Sequence, residues 1–555
     1  MAIDDFLAYL PDVEKLASWF IYNPKEPLLF NSGLFLGLFF AFYFGYILMR
    51  RKFRLRLLYT VAFSLFFYYK SSGLFFLLLV ATTIVDYYLA RLIDSEEREG
   101  RKKLYLSLSI VSNLGVLAYF KYTNFFLESV NHLTGSEFHM RYIILPVGIS
   151  FFTFQSISYI IEVYRKEIKL ADKFLDYLFY ISFFPQLVAG PIVRAKDFIP
   201  QIYSKVNLKK EEVNEALLLI IGGLLKKAVI SDYISINFVD RVFDAPNSYS
   251  AFENLVATYG YAIQIYCDFS GYSDMAIGLA LLLGYRLPIN FDVPYQSASI
   301  TEFWRRWHIS LSTWLRDYLY ISVGGNRNGS FGGYFFPSLF FIGVIIWGIA
   351  IYDTSAIPLY IGIGSVLVFL STIFFAKESK KALFTNFNLM TTMLLGGLWH
   401  GASLRFIVWG ALHGVALAFH KLFMEFFPKI KNPPNWWKRT WQLLSVLLTF
   451  HFVSFCWIFF RARDFDTALQ IIYNISALEI NVEKWQVLFE AYKPVMLLLI
   501  VGFIWHFLPK RLVNGMGSVF SASPIPIKAA IIGLVFWLVY ATASTGPQPF
   551  IYFQF

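Results

Sequence analysis

The sequence predicts an all-α, polytopic membrane protein, and three observations carry that prediction. Hydrophobic residues make up 57% of the 555 positions and charged residues only 15%, against roughly 25% charged in soluble domains. Apolar runs approaching the ~20 residues of a membrane-crossing helix recur from end to end. The net charge of +11 gathers in loops between such runs, as Lys and Arg do on the cytoplasmic side of membrane proteins. It does not point to nucleic acid; the lipid bilayer is the partner it implies.

Clear apolar runs lie, in order, at Leu28–Met49, Gly73–Leu92, Ala216–Ile230, Leu339–Ile351, Tyr360–Ala376, Leu404–Phe419, Leu444–Phe460, Met496–Phe507 and Ala529–Tyr540. Leu57–Tyr69, Leu106–Tyr119, Ile143–Ile161 and Leu175–Val193 are shorter or interrupted by polar residues. Hydropathy thus gives roughly eleven to fourteen membrane-embedded segments. Some are expected to be re-entrant, because irregular backbone at depth is tolerated only inside protein. Met1–Phe20 carries Asp4, Asp5, Asp12 and Glu14 and no basic stretch before an apolar core. It reads as an interfacial amphipathic segment and not as a secretory signal. Arg50–Arg56 is strongly basic, Lys70–Ser72 is brief, and Asp94–Lys103 is charged again. Alternation places the N-terminus outside, with Arg50–Arg56 and Tyr164–Lys166 in the cytoplasm. Lys421 and Lys429–Arg439 mark a further basic loop whose side stays open.

No internal repeat, long linker or soluble domain interrupts the chain, so residues 1–555 read as one integral membrane domain. Leu145–Ser150 and Phe183–Pro191 combine Pro and Gly within apolar runs, and Asp268–Asp274 sets two carboxylates into another. Kinked helices are one reading; broken helices that build a cavity are the other. Gly324–Ser330 is a Gly/Asn-rich loop. Cys267 and Cys456 lie far apart in apolar contexts and read as small buried hydrophobes, too few for a cysteine-based metal site.

An ionisable side chain at membrane depth is a functional candidate by default, so the eight histidines are the next test. His132 and His139 lie in a polar loop and read as surface residues. His420 and His506 precede basic residues at helix ends, where a cation suits the C-terminal dipole. His451 sits in an aromatic run and reads as a packing or hydrogen-bonding residue. At ~100° per residue, His413 stands well round an unbroken helix from His400. His308 and His400 differ from all of these: each follows a tryptophan and neighbours small or hydroxyl residues. A neutral imidazole accepts a proton from a hydroxyl near physiological pH, which is what a general base for O-acylation requires. A pair of buried structural histidines is the competing reading. No HExxH or carboxylate cluster completes a metal site, and neither a GxSxG elbow nor a Walker loop is present. No metal and no bound cofactor are expected.

The segment Ile300–Asn326, with Arg327 after it, brings Arg305, Arg306, Arg316 and Asp317 close to Trp304, Trp307, Trp314, Tyr318 and Tyr320. Aromatics alternate with charges too closely for a simple loop. A partly embedded segment beside a polyanionic ligand, such as the phosphates of coenzyme A, would use these arginines.

Phe303–Tyr320 and Leu398–Ala402, Leu-Trp-His-Gly-Ala, resemble the membrane-bound O-acyltransferase superfamily. The resemblance is to the branch of the alginate O-acetyltransferases, the peptidoglycan O-acetyltransferases and the D-alanyl transfer protein of teichoic acid modification. It continues through Leu145–Tyr159, Phe183–Arg194, Asp268–Gly278, Trp457–Ala462 and Pro549–Phe555. It implies a ring of transmembrane and re-entrant helices around a central tunnel, with His400 at the catalytic histidine and His308 at the second position. Trp304, Arg305, Arg306, Trp307, Ser310, Trp314, Asp317 and Trp399 become the substrate-binding candidates. It further implies an acyl-CoA or acyl-carrier donor from the cytoplasm and an acceptor from the outer face. A separate periplasmic or extracellular acyltransferase partner would complete transfer to a polysaccharide. The interval between His308 and His400 is longer than the family pattern, and 331–380 is expected to be an inserted helical hairpin.

The expected function is O-acylation, of the acetyl type, in a multi-pass protein of a bacterial inner membrane. The thioester donor is acetyl-CoA or another acyl thioester, His400 is the general base, and His308 orients the thioester or stabilises the oxyanion. The alternative is a transporter or flippase of a lipid-linked sugar or acyl carrier, with the histidines in proton coupling.

Overall fold

A computed structural model describes residues 19–326, 379–427, 433–542, 548, 550 and 551. Among these, every regular element is a helix, the form that satisfies its own backbone where water is absent. Helices α1 (Gly33–Met49), α2 (Phe53–Ser72), α3 (Phe75–Ser95) and α4 (Glu99–Thr134) follow one another through short connections, and the longer stretch 135–148 leads to α5 (Ile149–Tyr164). Their charged loops meet at one end. Arg91 Nη2 donates to Asp172 O at 3.2 Å and Tyr164 OH to Glu99 at 3.5 Å, and the Phe53 and Tyr203 rings lie 5.9 Å apart. At the other end of α2, Tyr68 OH donates to Val147 O at 2.8 Å and Val147 N–H to Ser72 Oγ at 3.0 Å. The basic loops after α1, α3 and α5 therefore share one end of the bundle.

Helix α6 (Lys210–Leu224) passes into π-helical turns at Leu225–Ser231 and Ser235–Val239, and packs along α7 (Ala251–Leu282). Their glycines let the backbones approach closely: a Cβ on Gly223 would stand 2.5 Å from Gly271 O. The Asp268–Asp274 stretch does not break α7. Its carboxylates are neutralised within the membrane, Asp268 by Lys227 and Asp274 by Lys226 Nζ at 2.6 Å. The two Pro/Gly segments are breaks. Gly148 takes φ +76°, and a Cβ there would meet Leu187 O at 2.7 Å. Phe183 separates the short helices Phe174–Ser182 and Phe184–Leu187.

Next come α8 (Ile300–Arg306) and α9 (Ile309–Trp314), the latter running into a π turn at Leu315–Tyr320. Then follow α10 (Ser379–His400), α11 (Leu404–Phe426), α12 (Asn435–Arg461), α13 (Lys493–Phe507) and α14 (Ile525–Thr542). Among the described residues five helices are long and apolar enough to cross a bilayer, or six if Val482–Ala491 and α13, bent by 94°, count as one. Hydropathy counted apolar runs, and many of those runs fold as shorter, bent or more polar helices. The expected hairpin at 331–380 lies outside the described residues except for its last two, which begin α10. Residues 1–18, Arg327, most of Gly324–Ser330, the start of Lys429–Arg439, Pro549 and 552–555 also lie outside them. Cys267 and Cys456 are both buried and free.

Candidate active site

His308 occupies the joint between α8 and α9, with φ +43°. A non-glycine residue in that left-handed region is uncommon, although histidine tolerates it better than most. Such outliers persist only where the surroundings over-determine them, and here Asn290 does so. Ile309 N–H donates to Asn290 O at 2.9 Å. Asn290 Oδ1 accepts from Ser310 Oγ at 2.8 Å and from Ser310 N–H at 3.3 Å, which identifies it as the oxygen. His308 Nδ1 lies 3.1 Å from the same oxygen. Since that oxygen only accepts, Nδ1 carries the proton and Nε2 the lone pair. Asn290 Nδ2 donates in turn to Ser273 Oγ of α7 at 3.2 Å. The His308 side chain is fully buried, and its ring packs edge-on against Phe269 at 4.6 Å.

His400 is the last residue of α10. The chain then turns through Gly401, Ala402 and Ser403 and returns as α11, packed back along α10. Glycines make this close return possible, the small-residue solution of membrane helix pairs. A Cβ on Gly397 would stand 2.2 Å from Phe406 O, and one on Gly410 would stand 2.3 Å from Met393 O. The carbonyls of the last turn of α10 are taken by α4. Lys121 Nζ donates to Trp399 O at 2.5 Å and to His400 O at 3.2 Å, and Tyr122 OH donates to Leu398 O at 2.7 Å. The imidazole is 3% exposed as a residue and stands among the rings of Trp399 (5.0 Å), Trp409 (5.1 Å) and Phe460 (5.3 Å).

The two imidazole centroids are 6.4 Å apart, and the Trp399 ring lies 5.9 Å from His308. Ser273 and Leu283 are separated by roughly 15 Å of helix, and Leu283 O is held by Tyr46 OH, next to the first basic loop, at 2.5 Å. The rings of Phe151 and Phe154, each 5.4 Å from Trp399, lie roughly 15–20 Å along α5 from Tyr164. Both rulers put the pair roughly 15–20 Å of helix away from the basic end.

Of the other sequence candidates, Trp399 lies against both imidazoles, and Ser310 is linked to His308 through the shared Asn290 Oδ1. Trp314 stacks on Phe154 at 3.8 Å and donates its Nε1–H to Phe154 O at 3.0 Å, forming the wall next to Trp399. Trp307 is buried against Phe291 and Trp457, each at 5.0 Å. Trp304 meets His413 at 5.2 Å and Trp409 at 5.7 Å. Asp317 lies at the basic end, paired with Arg194 at 2.6 Å and Arg316 at 2.7 Å. Arg306 pairs with Glu302 at 2.7 Å, and Arg305 is exposed.

Three histidines depart from their sequence reading. The helix is broken after His400, so His413 returns to within 4.8 Å of Trp409, one ring away from His400. His506 is buried, and its Nε2 accepts Tyr295 N–H at 3.0 Å, so it is no exposed cation at a helix end. His420 lies within α11, with its Nδ1 3.0 Å from Thr301 Oγ1. Sequence reasoning missed Asn290, Ser273, Lys121 and Tyr122 altogether. The only signal for the last two was a lysine beside a tyrosine just after the apolar run Leu106–Tyr119, in a stretch that reads as a polar connection and folds as helix as far as Thr134.

The family model described as "MBOAT, membrane-bound O-acyltransferase family" matches residues 100–341. The chain is 34% identical over 484 residues to a peptidoglycan O-acetyltransferase of Helicobacter pylori, covering 81% of this chain and 80% of that one. It is 35% identical over 466 residues to the "Probable alginate O-acetylase AlgI" of Pseudomonas aeruginosa, covering 83% and 76%. It is 27% identical over 327 residues to a teichoic acid D-alanyltransferase of Bacillus subtilis, covering 58% and 69%. An all-helical membrane fold built around a buried histidine pair and likeness of this extent have one conclusion: the chain belongs to the membrane-bound O-acyltransferase family, and it is an acyltransferase.

Proposed function

We propose that the protein moves an acetyl group from a cytoplasmic thioester, acetyl-CoA or an acyl carrier, to a hydroxyl of a cell-surface polysaccharide. A separate periplasmic or extracellular acyltransferase would complete the transfer where it is not direct. The observation that carries this reading is the pair of buried imidazoles, 6.4 Å apart, inside a helical membrane protein. Reactants reach such a place only through a passage lined by protein, the donor from one face and the acceptor from the other. Arg165, Arg194, Lys196 and Arg316 make the end near Tyr164 basic. That end suits an anionic donor, and Trp314, Phe154 and Trp399 line the way from it to the histidines.

In this reading His400 removes the proton of the acceptor hydroxyl as its oxygen attacks the thioester carbonyl. The new C–O bond forms, the C–S bond breaks, and the imidazolium returns the proton to the leaving thiolate. His308 holds the reacting group on its Nε2 side. One observation favours a second reading. With Nδ1–H fixed on Asn290, Nε2 of His308 is itself an acceptor, the arrangement of a base oriented by an asparagine. His308 would then take the proton, and His400 would face the oxyanion.

Proteoliposomes given labelled acetyl-CoA test the proposal. Acetyl transfer to a polysaccharide acceptor or to a partner protein is expected, with free coenzyme A as co-product. A transporter would release none. A folded His400→Ala protein that keeps full transfer would remove His400 from the chemistry.

A further inference from the structure

The end of α10 presents a problem that its own sequence does not solve. The last four carbonyls of a helix have no partner within it, and this end lies among apolar side chains. Two residues of α4, far away in the chain, answer it. Three successive carbonyls, Leu398, Trp399 and His400, accept from Tyr122 OH, Lys121 Nζ and Lys121 Nζ respectively. Beyond His400 the backbone has no helical continuation to steady it, only the turn through Gly401.

We propose that Lys121, supported by Tyr122, is a positioning residue for His400: it fixes the backbone from which the imidazole projects, without touching the reacting atoms. The inference rests on the acyltransferase reading with His400 in the chemistry. A grip on three consecutive carbonyls ending at the histidine sets its reach toward His308, and an error of 1 Å in such a placement costs about 100-fold in rate.

The test compares wild type, Lys121→Met, Lys121→Arg and Tyr122→Phe in the same detergent-purified, reconstituted form. Two quantities are measured: acetyl transfer from labelled acetyl-CoA, and the rate at which diethylpyrocarbonate modifies His400, read by mass spectrometry. Lys121→Met is expected to lower kcat about 100-fold while the KM for acetyl-CoA moves less than about twofold. The modification rate of His400 should change about tenfold, with that of His308 unchanged. Lys121→Arg, which keeps an N–H donor, should recover about a tenth of wild-type kcat or more, and Tyr122→Phe should lose about threefold to tenfold. A Lys121→Met protein with wild-type kcat and wild-type His400 reactivity overturns the proposal. So does a loss of kcat that simply tracks a lowered melting temperature and is equal in the arginine variant. If Lys121→Met does not fold, Lys121→Arg and Tyr122→Phe decide by the same two readouts. If wild type transfers no acetyl group, the functional reading has failed. The His400 modification ratio alone then decides the positioning role, a ratio near one counting against it.

Discussion

The two histidines sit 6.4 Å apart and are held by opposite strategies. His308 is held by its ring. Its backbone is forced into the left-handed region, and Asn290 fixes Nδ1 while also bonding the two residues that follow, Ile309 and Ser310. His400 is held by its backbone. Its helix end is gripped by Lys121 and Tyr122, and the rings of Trp399, Trp409 and Phe460 pack around its imidazole. A ring tied to an amide oxygen keeps one tautomer and one orientation. A ring packed among aromatic rings is placed by shape and by the backbone that carries it. The contrast suits a division of labour in which His308 orients and His400 carries the proton.

The sharpest way to break that contrast is to remove each ring. His400→Ala is expected to lower acetyl transfer about 10³-fold, within the range of general acid–base contributions. His308→Ala should cost less, about 10²-fold, because an orienting group is partly replaceable by binding. Rates are normalised to monodisperse, folded protein. The reverse order, with His308→Ala the more damaging, would exchange the two roles and favour His308 as the base.

The next test loosens one ring without removing it. Asn290→Ala leaves His308 in place but removes the acceptor that sets its tautomer. About a tenfold to 100-fold fall in kcat is expected, the usual effect of losing a hydrogen bond that orients a working histidine. The KM for acetyl-CoA should stay close to that of the parent. Should Asn290→Ala and wild type turn over equally fast, the ring of His308 does not need orienting and the comparison loses one half.

How much of this was visible beforehand depends on how far each contact reaches along the chain. His308 and His400 stood out because a histidine between tryptophan and small or hydroxyl residues is a local pattern. The breaks at Gly148 and Phe183 were legible for the same reason, since Pro and Gly act on their own backbone. Asp268–Asp274 was misjudged: two carboxylates look like a break until Lys226 and Lys227, from another helix, neutralise them. Asn290 and Lys121 were invisible. An asparagine in a loop and a lysine in a long helix carry no local mark of the carbonyls and rings they will meet. His413 was misplaced because the angular argument assumed an unbroken helix, although Gly401 directly after His400 was the available hint. Among the described residues the apolar runs outnumber the full-length spans, because an apolar run measures burial, and burial inside a helical protein does not require crossing the membrane.

A smaller effect tests the backbone strategy through packing. A Cβ on Gly401 would stand 2.1 Å from the Phe406 ring. Gly401→Ala therefore has to shift a ring or the turn itself, and about 1–3 kcal/mol of destabilisation is expected. The melting temperature in detergent should fall, and transfer should fall with it, because the turn begins directly after the histidine. An alanine protein as stable as its parent would mean that the turn has slack, and that the position of His400 is not set by tight packing of α10 on α11.

The smallest effect lies on the wall between the basic end and the histidines. Trp314→Phe keeps the stack on Phe154 but deletes the Nε1–H that donates to Phe154 O at 3.0 Å. A neutral hydrogen bond contributes about 1 kcal/mol net, so thermal stability should drop only slightly. Trp314 touches neither imidazole ring through any described contact, whereas it lines the path assigned to the donor. Its loss should therefore appear as a severalfold rise in the KM for acetyl-CoA with kcat nearly unchanged, the signature of weakened uniform binding. The opposite pattern, a fall in kcat at constant KM, would move Trp314 from the donor path into the arrangement that positions the histidines. The line between the two regions would then have to be drawn further from His308.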